Sequence, residues 1–576
     1  MNPRLGLAVA VLAGMLALNA AYATAVPELL EATVPEMPFG YREAPSPTAE
    51  AGATFVDVTA ETGVEVTRYR WTGGDLPYPA VIGGGIAVGD VDHDGFQDLY
   101  FPPGGPGHSA KLYRNEGDWR FQDITEAAGL NLTGFGTGAL FGDHDNDGDE
   151  DLVTLTDQGL TLHENDGNAT FTDITAQAGL SLDGLCGPRA CQPSSALFLD
   201  HDRDGDLDLY VVNNLDWRQP GLHTSGQDYA SLIYFAGRQD SLLFENQGDG
   251  TYQEVTQQAG VPNTGKGLSA TALDVDLDGW PEIATANDIT ENALYHNQGD
   301  GTFEETARAL HANEVKSSMG IAAGDVTGDG RADLLLSNFR GHKLSLLVQG
   351  EEGRFIYATE ARGLGASWRG TGWGVQLFDY DLDGWLDVMH GVGRAVPLDP
   401  HKYDLHNLVF PELVEDAEDQ LYRNLGQGSF AEVTYTAGDL PGITNTRAVV
   451  AVDLDNDGDE DLVRVNQQGL PAEVLRNDRH NEHRSIQLDL VGTQSNRDGY
   501  GAQVVVELPD GPTLVRELVS ASGYQTGTPH VLTVGLGPHD AAEVTIHWPS
   551  GTIQELGPLP AGAHVVTEAG GPGGDP

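Results

Sequence analysis

From residue 85 to 480 the chain repeats one pattern: a short apolar run, a polar turn of Asp and Gly, a second apolar run, then two shorter β-rich runs. The first copy reads Gly85-Ile-Ala-Val-Gly-Asp90, Leu99-Tyr-Phe101, Leu112-Tyr-Arg-Asn-Glu-Gly117 and Phe121-Gln-Asp-Ile-Thr125. Its last two phrases return at 162–180, 243–261, 294–306, 346–364 and 421–438. Short runs of β-branched, aromatic and aliphatic residues bounded by Gly, Asn and Asp are strands. Each unit therefore predicts four of them.

The polar turn is Asp-x-Asp-x-Asp-Gly-x-x-Asp followed by an apolar residue. It begins, with small variations, at Asp90, Asp143, Asp200, Asp274, Asp325, Asp379 and Asp453, at intervals of 53, 57, 74, 51, 54 and 74 residues. Seven four-stranded units of this length predict an all-β, seven-bladed propeller over 54–480 rather than an open solenoid. Thr54-Phe-Val-Asp-Val-Thr59 is a fourth-strand phrase with no third strand before it. Val474-Leu-Arg-Asn477 is a third-strand phrase with no fourth after it. The N-terminal strand is expected to complete the last blade and remove two exposed edges.

Outside the repeats the pattern changes. Residues 26–53, rich in Pro, Ala and Glu, read as a linker. Alternating runs at 485–491, 502–508, 514–519, 531–534, 543–547 and 564–567 predict a small β-sandwich over 483–567, with 568–576 a flexible tail. Residues 1–25 read as a cleaved signal peptide: Arg4 precedes the apolar stretch Leu5–Leu18, and Ala23-Thr24-Ala25 fits a small-x-small cleavage site. Ala21-Tyr22-Ala23 is the second choice of site. The stretch is shorter than the ~20 apolar residues of a membrane span. The expected location is secreted or periplasmic, without membrane insertion.

Charge narrows the partners. Against 30 Lys and Arg stand 87 Asp and Glu, a formal charge of -57, which repels nucleic acid and anionic lipid. The expected partner is an extracellular or periplasmic protein or glycan, and not a nucleic acid. The two cysteines, Cys186 and Cys191, flank Gly187-Pro188-Arg189-Ala190 and suit a short-loop disulfide in an oxidising compartment. Two thiolates with no neighbouring His make a poor zinc site.

The acidic turns carry the clearest chemistry. Alternating ligand and spacer points side chains 1, 3 and 5 at one centre, Gly at position 6 permits the sharp turn, position 7 offers its carbonyl, and an acid at position 9 closes the cage. That oxygen-only set suits Ca²⁺, whereas an EF-hand needs a bidentate Glu at position 12 and flanking helices. The ligands at positions 1, 3, 5 and 9 are Asp90, Asp92, Asp94, Asp98; Asp143, Asp145, Asp147, Asp151; Asp200, Asp202, Asp204, Asp208; and Asp274, Asp276, Asp278, Glu282. The remaining three sets are Asp325, Thr327, Asp329, Asp333; Asp379, Asp381, Asp383, Asp387; and Asp453, Asp455, Asp457, Asp461. Two carboxylates about 5 Å apart repel by roughly 3 kcal/mol at an effective dielectric of 20, a conflict that a divalent ion removes. Up to seven structural Ca²⁺ ions are expected, with affinities of roughly 10⁻⁴–10⁻³ M. The fifth site, with the neutral Thr327, is expected to be the weakest.

These loops and their Gly-rich flanks resemble the FG-GAP or VCBS repeats of integrin α-subunits. Ser495-Asn-Arg-Asp-Gly-Tyr-Gly-Ala502, Arg516-Glu-Leu-Val-Ser-Ala-Ser-Gly-Tyr524, Val534-Gly-Leu-Gly537 and Trp548-Pro-Ser-Gly551 resemble an ASPIC/UnbV domain. Together the two modules look like the cartilage acidic protein-like family, in a bacterial member, over residues 54–567. The resemblance implies a calcium propeller and no established enzyme chemistry.

In a propeller the acidic loops share one face. The long insertions 213–240 and 390–419, between strands two and three, then rise from the other. That second face should gather Arg68, Arg70, Trp71, Trp217, Arg218, Trp368 and Arg369, with Lys316, Arg340, His342, Lys343, Arg394, His401 and Lys402 nearby. Arg and Trp dominate recognition hot spots, so the expectation is a binding or adhesion surface there. The rival readings are a polysaccharide lyase or hydrolase, with His390, His401 and His406 as the cluster to test, and a scaffold subunit of an exported complex. No nucleophile turn, zinc-binding His-Glu-x-x-His or phosphate loop is present.

Overall fold

The computed structural model describes residues 53–72, 77–187, 190–218, 236–367, 370–394, 418–442 and 444–570. The expected signal peptide, almost all of the linker, most of both insertions, Trp368, Arg369, His401, Lys402 and His406 lie outside these residues.

Seven four-stranded antiparallel sheets follow one another along the chain. Blade 1 is Ala87–Gly89, Asp98–Phe101, Lys111–Asn115 and Phe121–Asp123, and blade 2 is Gly136–Gly142, Asp151–Thr156, Gly159–Asn165 and Phe171–Asp173. Blade 3 is Pro193–Leu199, Asp208–Asn213, Leu242–Asn246 and Tyr252–Glu254, and blade 4 is Gly267–Leu273, Glu282–Asn287, Ala293–Asn297 and Phe303–Glu305. Blade 5 is Ser318–Gly324, Asp333–Asn338, Ser345–Gln349 and Phe355–Tyr357, and blade 6 is Thr371–Phe378, Asp387–Gly393, Gln420–Asn424 and Phe430–Glu432. Blade 7 is Thr446–Val452, Asp461–Asn466 and Glu473–Arg479, completed by Ala53–Asp57, which pairs antiparallel with Glu473–Arg479 so that Phe55 faces Asn477. The expected N-terminal closure is present.

Each sheet is buried on both faces between its neighbours, which is why its first two strands read as continuous apolar runs instead of alternating. Ala87, Tyr100 and Leu112 of blade 1 pack with Ala139, Phe141 and Leu152 of blade 2. The same interleaving recurs between later blades. It returns to the start, where Val450, Val463 and Val465 of blade 7 pack with Ile86, Val88 and Leu99. The fold is a closed seven-bladed β-propeller.

A β-sandwich follows. Arg484–Val491, Val531–Gly537 and Gly562–Thr567 form one sheet, and Gln503–Glu507, Thr513–Glu517, Ala541–His547 and Ile553–Pro560 the other. Ile486, Leu488 and Leu490 meet Val504, Val506 and Ile546 between them. The strand Ile553–Pro560 was not expected. None of its residues is fully buried, and Gly557 and two prolines interrupt it, so its sequence shows no clear alternation.

The sandwich sits on the face of the acidic loops and sends a finger into the propeller's central channel. Ser520 Oγ accepts from the Phe198 amide (2.8 Å) and donates to its carbonyl (2.7 Å). Gly523 exchanges both backbone hydrogen bonds with Ile321, at 2.7 and 3.0 Å, and the Gly527 amide donates to Ile86 O (2.9 Å). Tyr524 is fully buried, donates its hydroxyl to Ile82 O (2.6 Å) and meets Trp373 edge-on with ring centroids 5.2 Å apart. Glycine is required where the finger passes: a Cβ on Gly85 would lie 2.2 Å from Gln525 O. Cys186 and Cys191 form the expected disulfide, with Cα atoms 5.2 Å apart.

Candidate metal centres

Each acidic loop is folded by its own ligands. The position-1 carboxylate accepts the amides of positions 5 and 6: Asp94 and Gly95 donate to Asp90 at 3.1 and 2.9 Å, and all seven loops repeat the pair. Position 6 is glycine at φ between 82 and 102° throughout, a region costly for other residues. Position 4 is also left-handed, at His93, Asn146, Arg203, Leu277, Leu382 and Asn456. A non-glycine residue pays for that conformation; the network around position 1 holds it in place.

Position 9 is locked by two backbone donors. In the first loop Asp98 accepts from Val91 (3.1 Å) and from Asn115 in the third strand (2.7 Å). All seven loops share this arrangement, with Glu282 in the fourth. The third-strand residue does more. The Asn115 side-chain amide donates to Leu454 O in the loop of the preceding blade (2.8 Å). Asn165, Asn246, Asn297, Gln349, Asn424 and Asn477 repeat that bond, giving a ring of seven inter-blade hydrogen bonds of 2.7–3.0 Å. Sequence reading missed this role, although the residue ends every Leu-Tyr-Arg-Asn phrase.

The remaining oxygens converge. One oxygen each from Asp90, Asp92 and Asp98 lies within 4.8 Å of the others, and His144, Asp145 and Asp151 form a similar group. Asp92 Oδ1 and Asp202 Oδ1 are buried and find no hydrogen-bond partner among the described residues. A buried carboxylate oxygen left unpaired is costly; a hard cation between positions 1, 3, 5 and 9 answers it. Burial also pushes the acids up: Asp98 to about 8, Asp151 to about 9 and Glu282 to about 9, with neighbouring carboxylates adding to the shift. All twenty-eight sequence-predicted ligands are brought into these loops. In the fifth, Thr327 Oγ1 donates to Asp325 Oδ1 (3.4 Å) and Arg331 pairs with Asp329 (2.8 Å).

The sandwich bonds directly to three of these loops. Asp498 accepts the Asp143 amide (2.9 Å), Glu517 that of Asp274 (3.2 Å), and Gln487 donates to Asp453 (2.7 Å). A cleft of about 860 Å³ between the two layers is bordered by Asp90, Glu150, Asp453 and Asp489.

The repeats and the sandwich match known family descriptions. The FG-GAP-like repeat model matches residues 90–154, 143–211, 228–285, 274–336 and 409–463, and the ASPIC and UnbV model matches 492–572. The chain belongs to the FG-GAP-repeat, ASPIC/UnbV family. It is similar to cartilage acidic protein 1 of Mus musculus, 25% identical over 306 residues, 52% of this chain and 44% of that one. The chain thus spans less than half the length of this curated relative. Similar solved structures include an Agrocybe aegerita lectin recognising non-reducing terminal N-acetylglucosamine (15% identity, TM-score 0.35, 62% of this chain and 82% of that one). Another is the Bacillus licheniformis rhamnogalacturonan lyase (12% identity, TM-score 0.32, 88% and 92%).

In this FG-GAP/ASPIC–UnbV chain the opposite face differs from expectation at two residues. Arg68 is 2% exposed, its guanidinium spent on Pro102, Pro103 and Gly136 carbonyls, so it belongs to the interior. His390 lies in the second strand of blade 6 rather than in the insertion. It is buried beside Gln420 and pushed down to about 4 by desolvation. Arg70 and Arg218 are exposed, Arg218 over Trp217 (5.0 Å) and paired with Asp157 (3.2 Å). Trp71, Trp217 and Phe339 are half-buried around Tyr78, Trp373 and the tip residue Tyr524, where they cap the channel.

Proposed function

We propose that this chain is an exported, calcium-loaded propeller that binds a protein or glycan through the face opposite its acidic loops, and that it is not an enzyme. The observation that carries the calcium reading is the pair of buried, unpartnered carboxylate oxygens on Asp92 and Asp202, set among converging acids in loops of one design. Positions 1, 3, 5 and 9 of each loop would hold the ion, which supplies charge compensation when bound and no reaction chemistry. Binding by the opposite face is supported by what covers the other: the ASPIC/UnbV sandwich lies on the loops and its finger fills the channel. Half-buried Trp71 and Trp217 beside exposed Arg70 and Arg218 offer stacking and anion-pairing groups. Export is supported by the N-terminal pattern and is compatible with the disulfide.

Metal analysis of the purified mature protein at millimolar calcium should find several bound ions per chain, and chelation should lower the melting temperature. Protein without bound calcium, or with a melting temperature indifferent to chelator, ends the calcium reading. Glycan and protein arrays screened with Trp71→Ala and Trp217→Ala should lose any ligand the parent retains. Unsaturated sugar products from an absorbance assay would favour a lyase instead.

A further inference from the structure

One position in each blade faces the acidic loop and varies in charge. It immediately precedes the third-strand Asn or Gln, and from blade 1 to blade 7 it is Arg114, Glu164, Glu245, His296, Val348, Arg423 and Arg476. In blades 1 and 4 the side chain reaches toward position 3. Arg114 lies 3.7 Å from Asp92, and His296 lies 3.8 Å from Asp276. Arg476 instead turns to Asp478 (2.7 Å), and Asp455 accepts from Trp119 (3.1 Å). In blades 2 and 3 the same position is a carboxylate, Glu164 and Glu245.

The sixth loop is different in kind. Arg423 Nη2 lies 2.6 Å from Asp381 Oδ2 and 2.9 Å from Asp383 Oδ2, so one guanidinium bridges positions 3 and 5. Asp381 is wholly buried. His483 and Asn481 both bond its carbonyl at 2.8 Å, and Arg516 of the sandwich donates to Gly384 O at the turn (2.9 Å). Neither oxygen of Asp381 finds a hydrogen-bond partner among the described residues, and the cation the chain itself sets against them is Arg423, 2.6 Å from Oδ2.

We infer that the residue before the third-strand Asn decides the sixth cage: Arg423 stands in for the ion there. This rests on the calcium reading above and sharpens it from up to seven ions to at most six.

Calcium titration calorimetry on the mature protein tests it. Wild type should bind no more than six ions. Arg423→Gln should add one. An unchanged count and affinity in Arg423→Gln overturns the assignment. So does calcium anomalous density between Asp379, Asp381 and Asp383 in wild-type crystals, which needs no variant to fold. A wild type that binds no calcium at all would instead fail the calcium reading itself.

Discussion

At the scale of single residues, the side chains that join neighbours matter as much as the acids that face an ion. Asn165 donates its backbone amide to Asp151 in its own blade and its side chain to Val91 O in the blade before. Asn165→Ala removes one partner of a buried bond, so stability should fall by about 1–2 kcal/mol, read as a lower denaturant midpoint with an unchanged slope. Gln349 makes the corresponding bond from blade 5, and its Oε1, like the Oδ1 of Asn165 and Asn477, is buried without a partner among the described residues. Gln525 is a stranger case. It sits in the channel at φ 57, it is 2% exposed, and neither end of its amide finds a partner among the described residues. Gln525→Gly relieves the left-handed strain and deletes the orphaned amide at the cost of some packing. Thermal unfolding should show the variant more stable by about 1 kcal/mol. The acids were readable from sequence because ligand chemistry demands a fixed residue type at fixed spacing. The Asn ring was not, because an inter-blade contact leaves no local spacing to recognise. Arg68 misled for a related reason: neighbouring aromatics resemble a binding surface until carbonyls from two blades are seen to surround the guanidinium.

At the scale of elements, the strand Ala53–Asp57 is the closure of the ring. Phe55 is fully buried against Tyr380 and Leu462, and the Phe55 amide also bonds Ala437 O of blade 6 (3.1 Å). Starting the mature chain at residue 60 would leave Glu473–Arg479 as an open edge beside an apolar gap. The expected result is a concentration-dependent rise in oligomers by light scattering together with a lower melting temperature; a monomer of unchanged stability would contradict the closing role. This strand was legible because its phrase stood without its usual neighbour. The strand Ile553–Pro560 was not, since an exposed strand owes its existence to pairing with Ala541–His547 rather than to its own pattern. The stretch 519–529 carries no periodicity either: its conformation is dictated by the inner strands of several blades.

For the whole molecule, propeller and sandwich form one mechanical unit. Tyr524 couples them most directly, through full burial, the Trp373 contact and the bond to Ile82 O. Truncating a buried aromatic costs about 3–5 kcal/mol. Tyr524→Ala should therefore do more than lower the melting temperature: calorimetry should resolve two transitions where the parent shows one. A single transition shifted by less than a degree would mean that the finger carries little of the coupling. The sequence announced both modules and their order. It could not announce that one fills the other, because the contacts that seat the finger are largely to backbone, which any sequence provides.

The pairing of Ala53–Asp57 with Glu473–Arg479 also sets a timetable. A ribosome must make nearly all of the propeller before its first strand has anything to pair with, and the channel stays hollow until residues 519–529 follow. Contacts so distant along the chain form slowly. A newly made polypeptide therefore stays pliable until residues 519–529 are in place, and one cut short before residue 473 keeps a strand with no mate for proteases to find.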